Sequence, residues 1–182
     1  MNPGVFFDRD GTINVDAGYV TKPQELEFAP GAVEAIVNLN RRGYKVVVIT
    51  NQSGVARGYH TESDVNLFHT EMSRQLALSG AYIDRFYYCP HHIEGKVEPY
   101  NIDCYCRKPG DAMYRQAISD LDLDPAVCIA VGDKPTDLLP ALGLGVSSIL
   151  LVPKGHIDDP TAEEEHFQRA ETLCDALARL LP

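Results

Sequence analysis

Apolar and polar positions alternate in blocks along this chain. Val5-Phe6-Phe7 is a short apolar run stopping at Asp8, the pattern of a buried strand. Pro30 to Arg42 places Val33, Ile36, Val37 and Leu39 at helical spacing and is closed by Gly43. Tyr44 to Thr50 is β-branched and bounded by N-Q-S-G, which predicts a second buried strand. T-E-S-D at Thr61 is a capping-box signature ahead of an amphipathic helix through Leu78. Ile83 to Cys89 reads as a third strand, and Pro109 stands where a first helical residue would open a helix to about Leu121. Val127 to Gly132 predicts a fourth strand, about Thr136 to Leu142 a helix, and Ser148 to Val152 a fifth strand. Thr161 caps a last helix with an acidic start, T-A-E-E-E.

Strands that are apolar throughout and alternate with helices imply an α/β fold, a parallel sheet covered on both faces. In such sheets ligands bind beyond the carboxyl ends of the strands. The long irregular segments, 16–29 and 90–108, are of a length that in compact domains usually carries function. With 182 residues the chain is expected to form one domain, 1–182.

Composition narrows the partners. Apolar residues make up 45% and charged residues 23%, ordinary for a globular protein, and the net charge is −10. That field repels a polyanion, and no basic run with interleaved aromatics offsets it, so nucleic acid is not an expected partner. No segment approaches the ~20 apolar residues of a membrane helix, and the amino terminus lacks a signal-peptide pattern. A cytoplasmic monomer with no membrane partner is the expectation, in a compartment where thiols stay reduced.

The candidate chemistry sits at the strand ends. D-R-D-G-T brings the carboxylates of Asp8 and Asp10 out of strand one, two positions apart. Unpaired, they repel; a divalent cation removes the conflict, and Mg²⁺ favours one or two carboxylates plus phosphate oxygens. One aspartate can then attack phosphorus while the other handles the leaving-group proton. The plain alternative is a polar turn with Asp10 as a helix cap. Thr50, ending strand two in I-T-N-Q-S-G, offers a hydroxyl to phosphoryl oxygens; a turn built on Asn51 and Gly54 is its alternative. Asp133 and Asp137 follow strand four in G-D-K-P-T-D, where Asp133 either completes a magnesium site or caps the next helix. Asp137 either supports that site or binds Lys134. Lys108 is a cation able to offset charge on a transferring phosphoryl group.

D-R-D-G-T, the I-T-N strand end, R-K-P and G-D-K-P-T-D resemble the four motifs of the haloacid dehalogenase (HAD) superfamily of aspartate-nucleophile phosphatases. The likeness covers nearly the whole chain. It is nearest to the D-glycero-D-manno-heptose 1,7-bisphosphate 7-phosphatases, a branch similar to the histidinol-phosphatases. D-R-D-G-T-I-N-V-D-x-G-Y-V, T-N-Q-S-G-V-A-R-G, C-P-H-H and C-x-C-R-K-P are specific to that branch. The resemblance implies a Rossmann-like three-layer sandwich with no large cap domain, and a Mg²⁺-dependent phosphomonoesterase acting on a small phosphorylated sugar. It implies Asp8 as nucleophile and Asp10 as general acid/base, with Mg²⁺ held by the Asp8 carboxylate, the Asp10 carbonyl and Asp133. Thr50 and Lys108 would stabilise the phosphoryl group. Asp16, Ala17, Gly18, Tyr19, Asn51, Gln52, Ser53, Arg107 and Lys134 would contact substrate or shape its site. The chain departs from the pattern at Pro135, after G-D-K, and at Pro140, which interrupts the following helical pattern. A histidinol-phosphate phosphatase and a non-enzymatic zinc-stabilised binding domain are the competing readings.

Cys89-x-His91, twelve residues, then Cys104-x-Cys106 offers four ligands from two short arms. A Cys₃His set suits structural Zn²⁺, although C-x-C is less usual than C-x₂-C. A disulfide is disfavoured by the reducing compartment, and a catalytic thiol by the lack of a base partner. His91 and His92 compete for one place; the resemblance puts the ligand at His91. Cys106 directly precedes Arg107 and Lys108, so a metal in this loop, at about 89–108, would aim both cations. Cys128 and Cys174 are expected as buried structural thiols.

Overall fold

β1 (Gly4–Phe7) forms the middle of a six-stranded sheet and carries the chain straight to the first aspartate. The computed structural model describes residues 1–152 and 167–180. The remaining strands are β2 (Lys45–Asn51), β3 (Arg85–Cys89), β4 (Ile129–Gly132), β5 (Ser147–Leu151) and β6 (Gln168–Ala170). Their order is β3-β2-β1-β4-β5-β6, with every pairing parallel. Helices α1 (Ala32–Arg41), α3 (Glu62–Leu78) and α6 (Leu173–Leu180) belong to one layer, and α4 (Ala112–Asp120) and α5 (Pro135–Gly143) to the other. A short α2 (Gly54–Arg57) follows β2. This is the parallel sheet covered on both faces that the alternation anticipates, and the Rossmann-like three-layer sandwich that the resemblance implies.

Alternation along β1 divides the core. Val5 and Phe7 pack into the cluster beneath α1, α3 and α6, and Phe6 into the cluster beneath α4 and α5, edge-on to Tyr114 at 5.1 Å. α3 turns Val65, Phe68, Met72 and Leu76 inward, each burial contributing roughly 1.5–3 kcal/mol. Its start is the expected capping box: the Thr61 side chain accepts from Asp64 N at 3.2 Å, and Thr61 N donates to Asp64 Oδ2 at 2.8 Å. The strand order reverses between β1 and β4, because β2 and β3 continue to one side and β5 and β6 to the other. A crevice opens at such a switch point, above the carboxyl ends of the two strands. Phe7 pairs with Val131 there, so the residues just beyond, Asp8 and Asp133, leave the sheet side by side.

Several boundaries differ from the sequence expectation. Pro109 does not open a helix. Arg107 N donates to Cys104 O at 3.0 Å and Gly110 N to Arg107 O at 2.6 Å, and these successive turns hold the chain until Asp111 caps α4. Gly110 is required, since a Cβ there would collide with the backbone carbonyl of Tyr105. Pro140 does not interrupt its helix either; α5 runs through it, and Pro140 is buried. Asp133 is not a helix cap, because the cap of α5 is Lys134. Residues Pro125–Val127 form a 3₁₀ turn, so β4 begins at Ile129; Cys128 lies just before it and is buried as expected. Cys174 corrects its assignment: it falls on the exposed side of α6, whose inward positions are Leu173, Ala176 and Leu177. β6 was not anticipated, being three residues long and largely polar. The cap assigned to Thr161 lies outside the described residues.

Candidate active site and adjoining metal cluster

At the switch point a cleft of about 510 Å³ is lined by Asp8, Asp10, Thr50 and Lys108 among others. Of the residues expected to contact substrate, Asp16, Gly18, Tyr19, Asn51, Gln52, Ser53, Arg107 and Lys134 line it as well. Neither Ala17 nor Asp133 lines it, and Asp133 is paired with Lys134 at 3.5 Å. Gly11, at φ 83°, turns the chain beneath Asp133 so closely that a Cβ would stand 2.5 Å from Asp133 Oδ2. The glycine of D-R-D-G-T therefore serves two ends, a left-handed turn and room for the acidic group.

Lys108 spans this floor. Its Nζ lies 2.7 Å from both Asp8 Oδ1 and Asp137 Oδ1 and donates to Ile49 O at 2.7 Å. Burial works against the ammonium, but the two carboxylates outweigh it and raise its pKa. Asp137 thus pairs with Lys108, rather than with Lys134. The Lys108 backbone is held twice by Asn51, which donates through Nδ2 to Lys108 O and accepts from Lys108 N, each at 3.0 Å. Asn51 therefore positions the lysine as well as lining the cleft.

Asp8, Asp133 and Asp137 present carboxylate oxygens within 4.8 Å of one another, and Asp133 Oδ1 and Asp137 Oδ2 are buried without hydrogen-bond partners. Carboxylates converging in this way, two of them with an unpartnered oxygen, fit a hard divalent cation. Burial raises the Asp8 pKa from its ordinary 3.8 to about 6 despite Lys108, with Asp137 adding to the rise. Asp133 is raised as well, by burial and by Asp8.

The Asp8 shift carries a sign that stability measurements can check. In metal-free protein the folded state keeps the Asp8 proton up to about pH 6, while the unfolded chain releases it near 3.8. Between those values the folded state binds more protons, so stability falls as pH rises through the window. Asp8→Asn is expected to flatten that segment of the melting-temperature profile measured in chelator. Identical profiles for the two proteins would show the assignment to be wrong.

Asp10 has a different environment. Burial raises its pKa, but Arg9 and hydrogen bonds from Asn14, Arg9 and Gln52 pull it below the ordinary value. Arg9 Nη2 donates to both carboxylate oxygens at 2.8 Å, Asn14 Nδ2 to Oδ1 at 3.0 Å, and Gln52 Nε2 to Oδ2 at 2.9 Å and to Thr50 Oγ1 at 3.0 Å. Asp10 does lie in a turn, as the plain alternative has it, but no helix starts there for it to cap. Sequence reading missed Arg9 and Asn14, both fully buried, and Thr136, which lines the cleft from the first turn of α5. A cation lodged between two aspartates at a buried strand end was the available signal, since a buried charge demands partners.

The second cluster adjoins this cleft. The sulfurs of Cys89, Cys104 and Cys106 and Nδ1 of His91 lie within 4.8 Å of one another. Cys106 Sγ is 2.8 Å from Cys89 Sγ and 2.9 Å from Cys104 Sγ, and His91 Nδ1 is 3.4 Å from Cys106 Sγ. All three cysteines are free thiols. Burial and its two sulfur neighbours push the Cys106 thiol pKa up, a penalty that a bound cation relieves. Three sulfurs and one imidazole nitrogen fit a closed tetrahedral zinc set. His92 is turned away, its Nε2 3.3 Å from Arg57 Nη2. Arg107 Nη1 donates to His91 O at 3.4 Å, and Tyr100, in the same loop, donates to Glu62 Oε1 at 2.6 Å.

The chain is similar to known proteins over most of its length. Residues 105–180 match the family model described as HAD-hydrolase-like, and residues 5–138 the model for polynucleotide kinase 3 phosphatase. The D-glycero-beta-D-manno-heptose-1,7-bisphosphate 7-phosphatase of Haemophilus influenzae is 45% identical over 155 residues, covering 85% of this chain and 84% of that protein. Its counterpart from Pasteurella multocida is 44% identical with the same coverage. The chain belongs to the HAD-like phosphatases. Among solved structures, the D,D-heptose 1,7-bisphosphate phosphatase of B. bronchiseptica, complexed with magnesium and phosphate, is similar at a TM-score of 0.80 and 31% identity, over 98% of each chain. As a HAD-like phosphatase the protein is a hydrolase of phosphoric monoesters, which removes the non-enzymatic binding domain from consideration.

Proposed function

We propose that this HAD-like phosphatase removes the C7 phosphate of D-glycero-D-manno-heptose 1,7-bisphosphate through an aspartyl-phosphate on Asp8. The observation that carries the chemistry is Asp8 at the switch point, paired with buried Lys108 and grouped with Asp133 and Asp137, each of which has an unpartnered oxygen. The sugar is supported by relatives of that name at 44% and 45% identity and by the cleft-lining loop of Asp16, Gly18 and Tyr19.

Mg²⁺, held by the Asp8 carboxylate, the Asp10 carbonyl and Asp133, would neutralise phosphoryl charge. Lys108 fixes Asp8 and offsets the same charge, with Thr50 presenting its hydroxyl from the end of β2. An Asp8 oxygen attacks phosphorus and the ester P–O bond breaks. Asp10, whose charged form Arg9, Asn14 and Gln52 favour, takes the proton that the monoanionic substrate phosphate brings and gives it to the departing sugar oxygen. Asp10, now ionised, takes a proton from water as that water attacks the acyl phosphate. The phosphorus–Asp8 bond breaks, Asp10 passes that proton to the phosphate, inorganic phosphate leaves and both aspartates return to their starting states. Zn²⁺ on Cys89, His91, Cys104 and Cys106 is architectural, holding the loop that carries Arg107.

The chain is read as one domain acting as a cytoplasmic monomer, without nucleic-acid or membrane partners. Among the described residues no helix is long and apolar enough to cross a membrane. The net charge of −10 opposes a polynucleotide 3′-phosphatase despite the matching model. The test is kcat/KM on heptose 1,7-bisphosphate, histidinol phosphate and a 3′-phosphorylated oligonucleotide, with and without Mg²⁺. Magnesium-dependent preference for the heptose is expected. A preference for histidinol phosphate would replace the substrate while keeping the chemistry.

A further inference from the structure

Arg9 is fully buried, does not line the cleft, and so cannot touch the substrate, yet its guanidinium is the hub of the site's polar contacts. We propose that Arg9 is a positioning residue for proton transfer: it locks the Asp10 carboxylate to the substrate loop and to α3, so that Asp10 meets the leaving oxygen in one fixed orientation. This rests on the phosphatase reading above and concerns how Asp10 is aimed.

The geometry divides the guanidinium's donors among three parts of the molecule. Toward Asp10, Nη2 reaches both oxygens at 2.8 Å and Nε reaches Oδ1 at 3.1 Å. Toward the loop, Nη2 donates to Val20 O at 2.9 Å, directly after the cleft-lining Tyr19, whose φ of 52° shows the chain turning there. Toward α3, Nη1 lies 3.4 Å from His69 Nε2, and the guanidinium carbon stands 4.6 Å from the Phe68 ring centroid. A planar fork bonded on several sides has no rotational freedom, and a lysine would supply neither the plane nor the spread of donors.

The two Asp10 oxygens are then unequal. Oδ1 is surrounded by Arg9 and Asn14, neither of which lines the cleft. Oδ2 is also held by Gln52, which does line it. Oδ2 is therefore the oxygen through which the proton passes, with Gln52 giving way when the substrate oxygen arrives. Among the described residues Arg9 is the link that joins general acid, substrate loop and α3 through one side chain.

The test compares esters that do and do not need a protonated leaving group. On full-length protein with Mg²⁺, kcat/KM is measured for a sugar phosphate, whose alkoxide is a poor leaving group, and for p-nitrophenyl phosphate, whose phenolate departs unprotonated. Arg9→Met is expected to lower the sugar-phosphate value by about 10²-fold and the p-nitrophenyl value by less than about tenfold, since aim matters where the acid is used. Arg9→Lys, which keeps the buried charge, is expected to recover part of the difference. Equal losses on both esters would make Arg9 a structural residue and overturn the proposal, as would failure of both variants to melt cooperatively. Wild-type protein inert toward both esters would instead bring down the phosphatase reading itself, and the proposal with it.

Discussion

Asp8→Asn abolishes phosphate release, with kcat expected to fall roughly 10⁴- to 10⁶-fold, the range seen when one member of a concerted catalytic group is removed. The amide nitrogen and oxygen cannot form the acyl phosphate, while the side chain keeps its shape. The fold is expected to survive, because Lys108 retains Asp137 Oδ1 at 2.7 Å and Ile49 O at 2.7 Å. Melting in metal-free buffer above about pH 6 should be unchanged or higher, since the substitution removes a carboxylate that burial holds against ionisation. Steady-state phosphate release, a thermal melt, and mass analysis of rapidly quenched enzyme check the three parts. A variant retaining a tenth of the wild-type rate would remove Asp8 from the chemistry, whatever the quench shows.

Cys104→Ser is expected to produce the next largest change, and a divided one. Losing one of four ligands opens the cluster, and a melting temperature lower by about 5–10 °C corresponds to a few kcal/mol for a chain of this size. Metal content, measured after gel filtration, should drop with it. The kinetic loss should reach about 10²-fold in kcat/KM and fall mainly on KM. Arg107 depends on this loop through His91 O, whereas the Lys108 backbone is independently clamped by Asn51. A metal-depleted variant with unchanged stability and KM would refute the architectural role. Loss confined to kcat would place the loop's influence on Lys108 instead.

The same two anchors explain how far the chain could be read before its structure. Strand ends were legible because β-branched or aromatic runs stop abruptly at Asp8, Thr50 and Gly132, and the parallel order puts those ends on one rim. Cys89, Cys104 and Cys106 stood out because two short arms of sulfur and imidazole have few other uses, whereas the choice of His91 over His92 came from the resemblance. Pro109 misled, because its position resembles a helix start while the cysteine turn before it dictates a second turn. Cys174 misled because neighbouring residues on a short amphipathic helix fall on opposite sides.

The sequence by itself determined most element types, the two aspartates of the first loop and a set of three cysteines with one of two histidines, His91 or His92, since these rest on periodicity and on residue chemistry at fixed spacing. Tertiary structure alone decided that Asp137 joins Lys108, that Asn51 clamps the lysine backbone and that Arg9 binds Asp10 together with Val20 and His69. Apart from Asp10, which adjoins Arg9, those partners come together from positions 11 or more residues apart. A hydrogen bond depends on distance and direction in space, which residue spacing along a chain does not encode.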